Sequence, residues 1–187
     1  MAYIARKYWL IVLAIFMIAA AILFAMERPP ICTCGFVKLW EGEVNGSGNS
    51  QHIADWYTPS HMIHGMLLFG GGWLLMRGRS VGIWLIAATI LELGWEILEN
   101  TPMVINRYRE ETMALGYSGD SILNSIADGG WMIAGFLIAA RLPWKATAAI
   151  IVFFELFTLY MIRDNLTLNI VMLVYPLEAI KLWQAAS

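Results

Sequence analysis

Charge is scarce in this chain. Lys, Arg, Asp and Glu make up 14% of its 187 residues, against about 25% in an ordinary soluble domain. That poverty, with 59% hydrophobic residues, excludes a typical water-soluble globule. The net charge of -2 supplies no basic footprint, so nucleic acid is not an expected partner. Only two cysteines occur, Cys32 and Cys34, too few for a disulfide scaffold. A bridge between residues two apart would be strained, so the pair reads as structural thiols or part of a metal site. No internal repeat is present, which removes solenoid architectures.

What is abundant is apolar sequence in runs of membrane length. A helix needs about 20 mostly apolar residues to cross the hydrocarbon core. Six segments qualify as candidates: 8–25, 60–77, 81–98, 120–140, 146–162 and 166–183. The first is longer than the 7–15 apolar residues usual in a secretory signal and reads as a retained span. The last contains Pro176 and Glu178 and reads as a kinked span, with an interfacial helix as the alternative. The fold class expected is therefore all-α, a polytopic bundle of about six spans in a single integral membrane domain, 1–187. Nine Trp and seven Tyr suit the membrane–water boundary.

Lys and Arg placement sets the orientation. Arg6, Lys7, Arg77, Arg79, Arg141, Lys145 and Lys181 fall on one side, in short segments nearly free of acids. The positive-inside rule then places both termini inside, with outer loops at 27–59 and 100–119. The stretch Gln51 to Tyr57, aromatic and polar, is expected at the interface. Gly70, Gly71 and Gly72 are expected to permit close helix packing.

The ionisable residues inside the spans carry the functional argument, because burying them is expensive. His61 and His64 are spaced i,i+3; Glu92, Glu96 and Glu99 are spaced i,i+4,i+7; Asp120, Asn124 and Asp128 are spaced i,i+4,i+8. Each spacing puts its members on one helix face, at similar depth below the outer surface. Three such stripes imply one shared cavity. No Lys or Arg lies in the second, third or fourth span to pair with Glu92, Glu96 or Asp128. A carboxylate at that depth must pair, bind a metal or take up a proton.

Two imidazoles and several carboxylates suit a divalent metal, zinc or similar. The metal ligands expected are His61, His64, Glu92, Glu96, Asp120 and Asp128, with Glu92, Glu96 and Asp128 as the catalytic carboxylates. Glu99, Asn124, Arg107, Tyr108 and Arg109 are expected to bind substrate, the guanidiniums holding a headgroup. Glu155, mid-span in the fifth segment, is expected to line the cavity from below.

The stretch Ser50-Gln51-His52-Ile53-Ala54-Asp55-Trp56-Tyr57-Thr58-Pro59-Ser60-His61, the pair His64-Gly65, residues Glu92 to Asn100, and Gly119-Asp120-Ser121 through Asp128 resemble a bacterial membrane family called domain of unknown function 2585. The resemblance covers nearly the whole chain and implies an inner-membrane location in Gram-negative bacteria, with no established activity.

Three functions fit these residues. The first is a metal-dependent hydrolase or transferase acting at the outer, periplasmic face on a lipid or lipid-linked substrate. The second is a cation transporter or sensor using the same cluster. The third is a structural subunit of a membrane complex, whose acids pair with a partner's basic residues. Membrane lipid is the one partner the sequence implies.

Overall fold

The structure is a computed structural model that describes residues 4–112 and 117–185. Among these residues there are eight helices and no strand: α1 Arg6–Ala25, α2 Thr58–Leu75, α3 Val81–Glu99, α4 Pro102–Glu111, α5 Ile122–Ala139, α6 Trp144–Ile162, α7 Leu166–Val174 and α8 Glu178–Ala185. Helices α1, α3, α5 and α6 are long and apolar enough to cross a membrane. The chain is a membrane protein built on them. Helix α2 has 18 residues but is not one of the four; Thr58, Ser60, His61, His64 and its glycines dilute its apolar character.

The expected sixth span is divided. Helix α7 has nine residues and α8 has eight, with Tyr175, Pro176 and Leu177 between them. At 1.5 Å per residue α7 is about 14 Å long, half of the roughly 30 Å hydrocarbon core, so it does not cross alone. Pro176 has no N–H to continue the helical ladder, which is why the segment breaks there. The outer loop expected at 100–119 holds α4, with Pro102 at its start.

The core joins α1, α3 and α5 through Val12, Trp84, Leu85, Ala88, Met132 and Phe136. Helices α2 and α5 lie closest of all. A Cβ at Gly65 would strike the carbonyl of Met132, and one at Gly135 would strike that of Met62. Only hydrogen at both positions allows this crossing. The glycine run does not serve that purpose as expected: Gly70 and Gly71 face open space, and only Gly72 is packed, against Trp84.

The 27–59 loop folds over the N-terminus of α5. Ile122 N and Leu123 N donate to the carbonyls of Pro29 and Pro30 at 2.8 and 3.1 Å. Ser121 N donates to Ser50 O, and Gln51 Nε2 to Gly119 O at 2.8 Å. Ser50 and, within the stretch expected at the interface, Gln51, His52 and Asp55 are buried inside the protein. Cys32 and Cys34 also depart from expectation, because a disulfide joins them. Their Cα atoms are 5.1 Å apart, inside the range of roughly 4.4–6.8 Å that a bridge requires.

Candidate metal centre

The α2–α5 crossing and the packing of α3 beside it bring three polar stripes to one place. His61 Nδ1 lies 2.7 Å from Glu92 Oε1, and His64 Nδ1 lies 3.0 Å from Glu92 Oε2. His61 Nδ1 is also 3.5 Å from Glu96 Oε1, and its Nε2 is 3.7 Å from Asp128 Oδ2. His61, Glu92, Glu96 and Asp128 are all buried; His64 is half-buried. Helix periodicity explains the convergence: each stripe presents one face, and the three faces meet.

At this site donor atoms fall into three overlapping groups, each with its members within 4.8 Å of one another, and a fourth group among the described residues, Cys32, Cys34 and His52, lies elsewhere. The three are His61 with His64 and Glu92; His61 with Glu96 and Asp128; and Glu96 with Glu99 and Asp120. His61 belongs to two of them, and so does Glu96. Glu96 Oε1 and Asp128 Oδ1 are buried without a hydrogen-bond partner among the described residues. An unpaired buried carboxylate oxygen is costly, so each marks a position where a cation or a proton is owed.

Above the cluster opens a cavity of about 300 Å³. His61, His64, Glu96 and Asp128 line it at the base, and Glu99, Asp120, Tyr108 and Tyr117 line it further out. One wall is apolar: Trp95 of α3 and Leu166, Ile170, Leu173 and Val174 of α7. The α7 residues recur at i, i+4, i+7 and i+8, a single helical face. Glu92 stands behind the two histidines rather than on the cavity surface.

Asp120 is held firmly. Asn100 Nδ2 donates to its Oδ2 at 2.7 Å, and Tyr117 Oη donates to its Oδ1 at 2.8 Å. Asn124 lines the cavity, but its Nδ2 is spent on His52 O at 2.8 Å. Arg107 and Arg109 are not cavity-lining residues. Arg107 Nε donates to Leu173 O at 3.0 Å, tying α4 to α7, and Arg109 Nε donates to Tyr117 O. Glu155 lies away from the cavity and caps α7, its carboxylate accepting from Leu166 N and Thr167 N. A helix N-terminus leaves backbone donors unpaired, which explains that placement.

Several residues in or behind the cavity carry no pattern of their own in the sequence. Asn100, behind Asp120, sits at the C-cap of α3 and reads in sequence as a mere helix stop. Asp55 lines the cavity while binding Ser50 N and Tyr57 N through its carboxylate, and burial pushes that carboxyl upward against those bonds. Tyr57 and Trp95 also line it. The one signal available for Asp55 was its place three residues before Thr58, whose Oγ1 accepts from Asp55 N.

The sequence model of a family described as protein of unknown function (DUF2585) matches residues 23–186. A UPF0314 protein of Sinorhizobium fredii is 62% identical over 160 residues, covering 86% of this chain and 81% of its own. A UPF0314 protein of Rhizobium meliloti is 59% identical, with 95% and 90% covered. Another from Sphingopyxis alaskensis is 56% identical, with 97% of each chain covered. No solved structure matches the chain.

Proposed function

The chain belongs to the DUF2585 family, and from its site we propose a metal-dependent hydrolase of the bacterial inner membrane, acting from the outer face on a lipid or lipid-linked ester. The observation that carries this reading is the pair of orphaned carboxylate oxygens, Glu96 Oε1 and Asp128 Oδ1, beside two histidines at the base of a cavity. His61, His64 and Glu92 would hold one divalent ion, zinc or similar, through two imidazole nitrogens and a carboxylate. The ion would supply an activated water.

Asp128 or Glu96 would take the proton from that water as its oxygen attacks the acyl or phosphoryl centre. The same carboxyl would return the proton to the departing ester oxygen. An acceptor hydroxyl in place of water would make the reaction a transfer. The apolar wall of Trp95, Leu166, Ile170, Leu173 and Val174 suits a hydrocarbon tail beside that chemistry.

Transport is the weaker reading, because a cation path needs polar groups beyond the site. Toward the other end of the bundle lie Trp84, Leu85, Met132 and Phe136, an apolar plug.

Elemental analysis of the purified full chain tests the proposal. One or more equivalents of metal are expected in the wild type, with loss in His64→Ala and in Glu96→Gln. Incubation with a bacterial lipid extract in isotope-labelled water should place the label in a released product, in the wild type and not in Glu96→Gln. A wild type that binds no divalent metal sinks the reading.

A further inference from the structure

The five carboxylates of this site outnumber what one ion can neutralise. Glu92, Glu96, Glu99, Asp120 and Asp128 converge within the linked groups. Among the described residues, no Lys or Arg lines the cavity. Arg28, beside the site, gives its Nε to the backbone carbonyl of Asp120 and its Nη2 to that of Ser118, not to a carboxylate. One dication would leave three negative charges in a largely buried space; two would leave one. Charges that deep stay ionised only when compensated.

Resting on the hydrolase reading, we infer that the site holds a second divalent cation, bound by Glu96, Glu99 and Asp120, outward of the ion at His61, His64 and Glu92. These three carboxylates already offer donor oxygens within 4.8 Å of one another. Glu96 faces both positions: its Oε1 lies 3.5 Å from His61 Nδ1, and that oxygen is one of the unpartnered buried atoms. One outer carboxylate is also oriented as ligands usually are, since Asn100 and Tyr117 both bond Asp120.

The two positions differ in chemistry. Two imidazoles at the inner one suit zinc or a similar borderline ion, whereas an all-carboxylate set suits a harder cation such as manganese or magnesium. Paired ions clamp both the attacking and the departing oxygen in a displacement. That two-ion clamp would suit a phosphate ester as the substrate class, with the ions themselves contacting its oxygens.

Manganese titration of the metal-stripped full chain in detergent, read by stoichiometry and by electron paramagnetic resonance, decides the matter. Two Mn²⁺ per chain with an exchange-coupled spectrum are expected. Glu99→Gln and Asp120→Asn should each leave one Mn²⁺, abolish the coupling and weaken the outer site at least tenfold. His64→Ala should weaken the inner site instead. A single Mn²⁺ in the wild type, unaffected by Glu99→Gln, overturns the second site and leaves the hydrolase reading standing. No Mn²⁺ or Zn²⁺ at all overturns both. Should Asp120→Asn fail to fold, half-buried Glu99 still answers the question, with size-exclusion profile and thermal unfolding as controls.

Discussion

Asn100 grips Asp120 from two directions: its Nδ2 donates to the carboxylate Oδ2 at 2.7 Å, and its Oδ1 accepts from the backbone N of Asp120 at 2.8 Å. The same amide also donates to Glu96 O at 2.9 Å. One side chain thus fixes the end of α3 to the start of the α5 segment, 20 positions away, and sets the rotamer of a carboxylate in the cavity.

Replacing Asn100 by Ala therefore strands a buried backbone N–H and leaves a buried carboxylate oxygen only the long bond from Ser125 Oγ at 3.5 Å. Each unsatisfied group costs about 1–3 kcal/mol, so a loss of roughly 2–6 kcal/mol is expected. In a domain of this size about 1 kcal/mol shifts Tm by roughly 2–4 °C. Thermal unfolding in detergent should show Tm falling by several degrees. Metal affinity should fall about 10–100-fold, as when an outer partner of a ligand is removed. An unchanged Tm would show that the Asn100 bonds add nothing to stability.

The α2–α5 crossing gives a second prediction with an internal control. Gly65→Ala and Gly135→Ala each drive a methyl group into a backbone carbonyl of the facing helix. Backbone cannot swing aside as a side chain can, and overpacking costs about 1–3 kcal/mol or more. Because the histidines and Asp128 ride on those helices, metal binding should weaken too. Gly70→Ala and Gly71→Ala meet open space and should be neutral or gain a few tenths to about 1 kcal/mol from helix propensity. Equal unfolding temperatures for Gly65→Ala and Gly70→Ala would contradict the close crossing.

Asp164, outside the long helices, makes stability depend on pH. Its carboxyl accepts from Asn165 N, Tyr57 Oη and Gln184 Nε2, yet burial dominates and pushes it from 3.8 up to about 6. A raised carboxyl favours the protonated form in the fold. Its ionisation is therefore opposed, and stability falls as pH rises from about 4 through 6, then levels off. The shift of about two pH units corresponds to the order of 2–3 kcal/mol. Asp164→Asn keeps the acceptor for Asn165 N and removes the charge. Its Tm, relative to the wild type, should rise between pH 4 and 7; a constant difference across that range would refute the assignment.

Much of this architecture was legible in the residues because it follows from period and cost. Four of the expected spans coincide to within a few residues with helices long and apolar enough to cross a membrane, α1, α3, α5 and α6, since apolar run length fixes a helix in lipid regardless of its neighbours. The segment expected at 60–77 is helical as α2 but falls short of that apolar character. The juxtaposition of His61, His64, Glu92, Glu96 and Asp128 was legible because deep ionisable groups need each other. What could not be read were roles set by long-range backbone bonding. Arg107 and Arg109 looked like headgroup ligands, but backbone carbonyls 66 and 8 residues away claim their Nε atoms. Glu155 looked like a cavity acid until α7 supplied two bare N–H groups for it. Asp55 and Gln51 looked superficial because nothing local shows that the loop folds back over α5.

Glu96 offers a prediction whose sign depends on the metal. Without metal, its Oε1 is a buried carboxylate oxygen with no donor, and an uncompensated buried charge is strongly unfavourable. Glu96→Gln removes that charge while retaining the shape, and the new amide can donate to neighbouring carboxylates. The metal-stripped variant should therefore melt higher than the metal-stripped wild type, by a few degrees for about 1 kcal/mol. With metal the order should reverse. A ligand at 100 times its Kd stabilises the protein that binds it by about 2.7 kcal/mol, and the glutamine variant forfeits most of that. Unfolding curves of both proteins, with excess Zn²⁺ and with chelator, give four temperatures and one crossing. Parallel shifts without a crossing would mean that Glu96 is a structural residue and not a ligand.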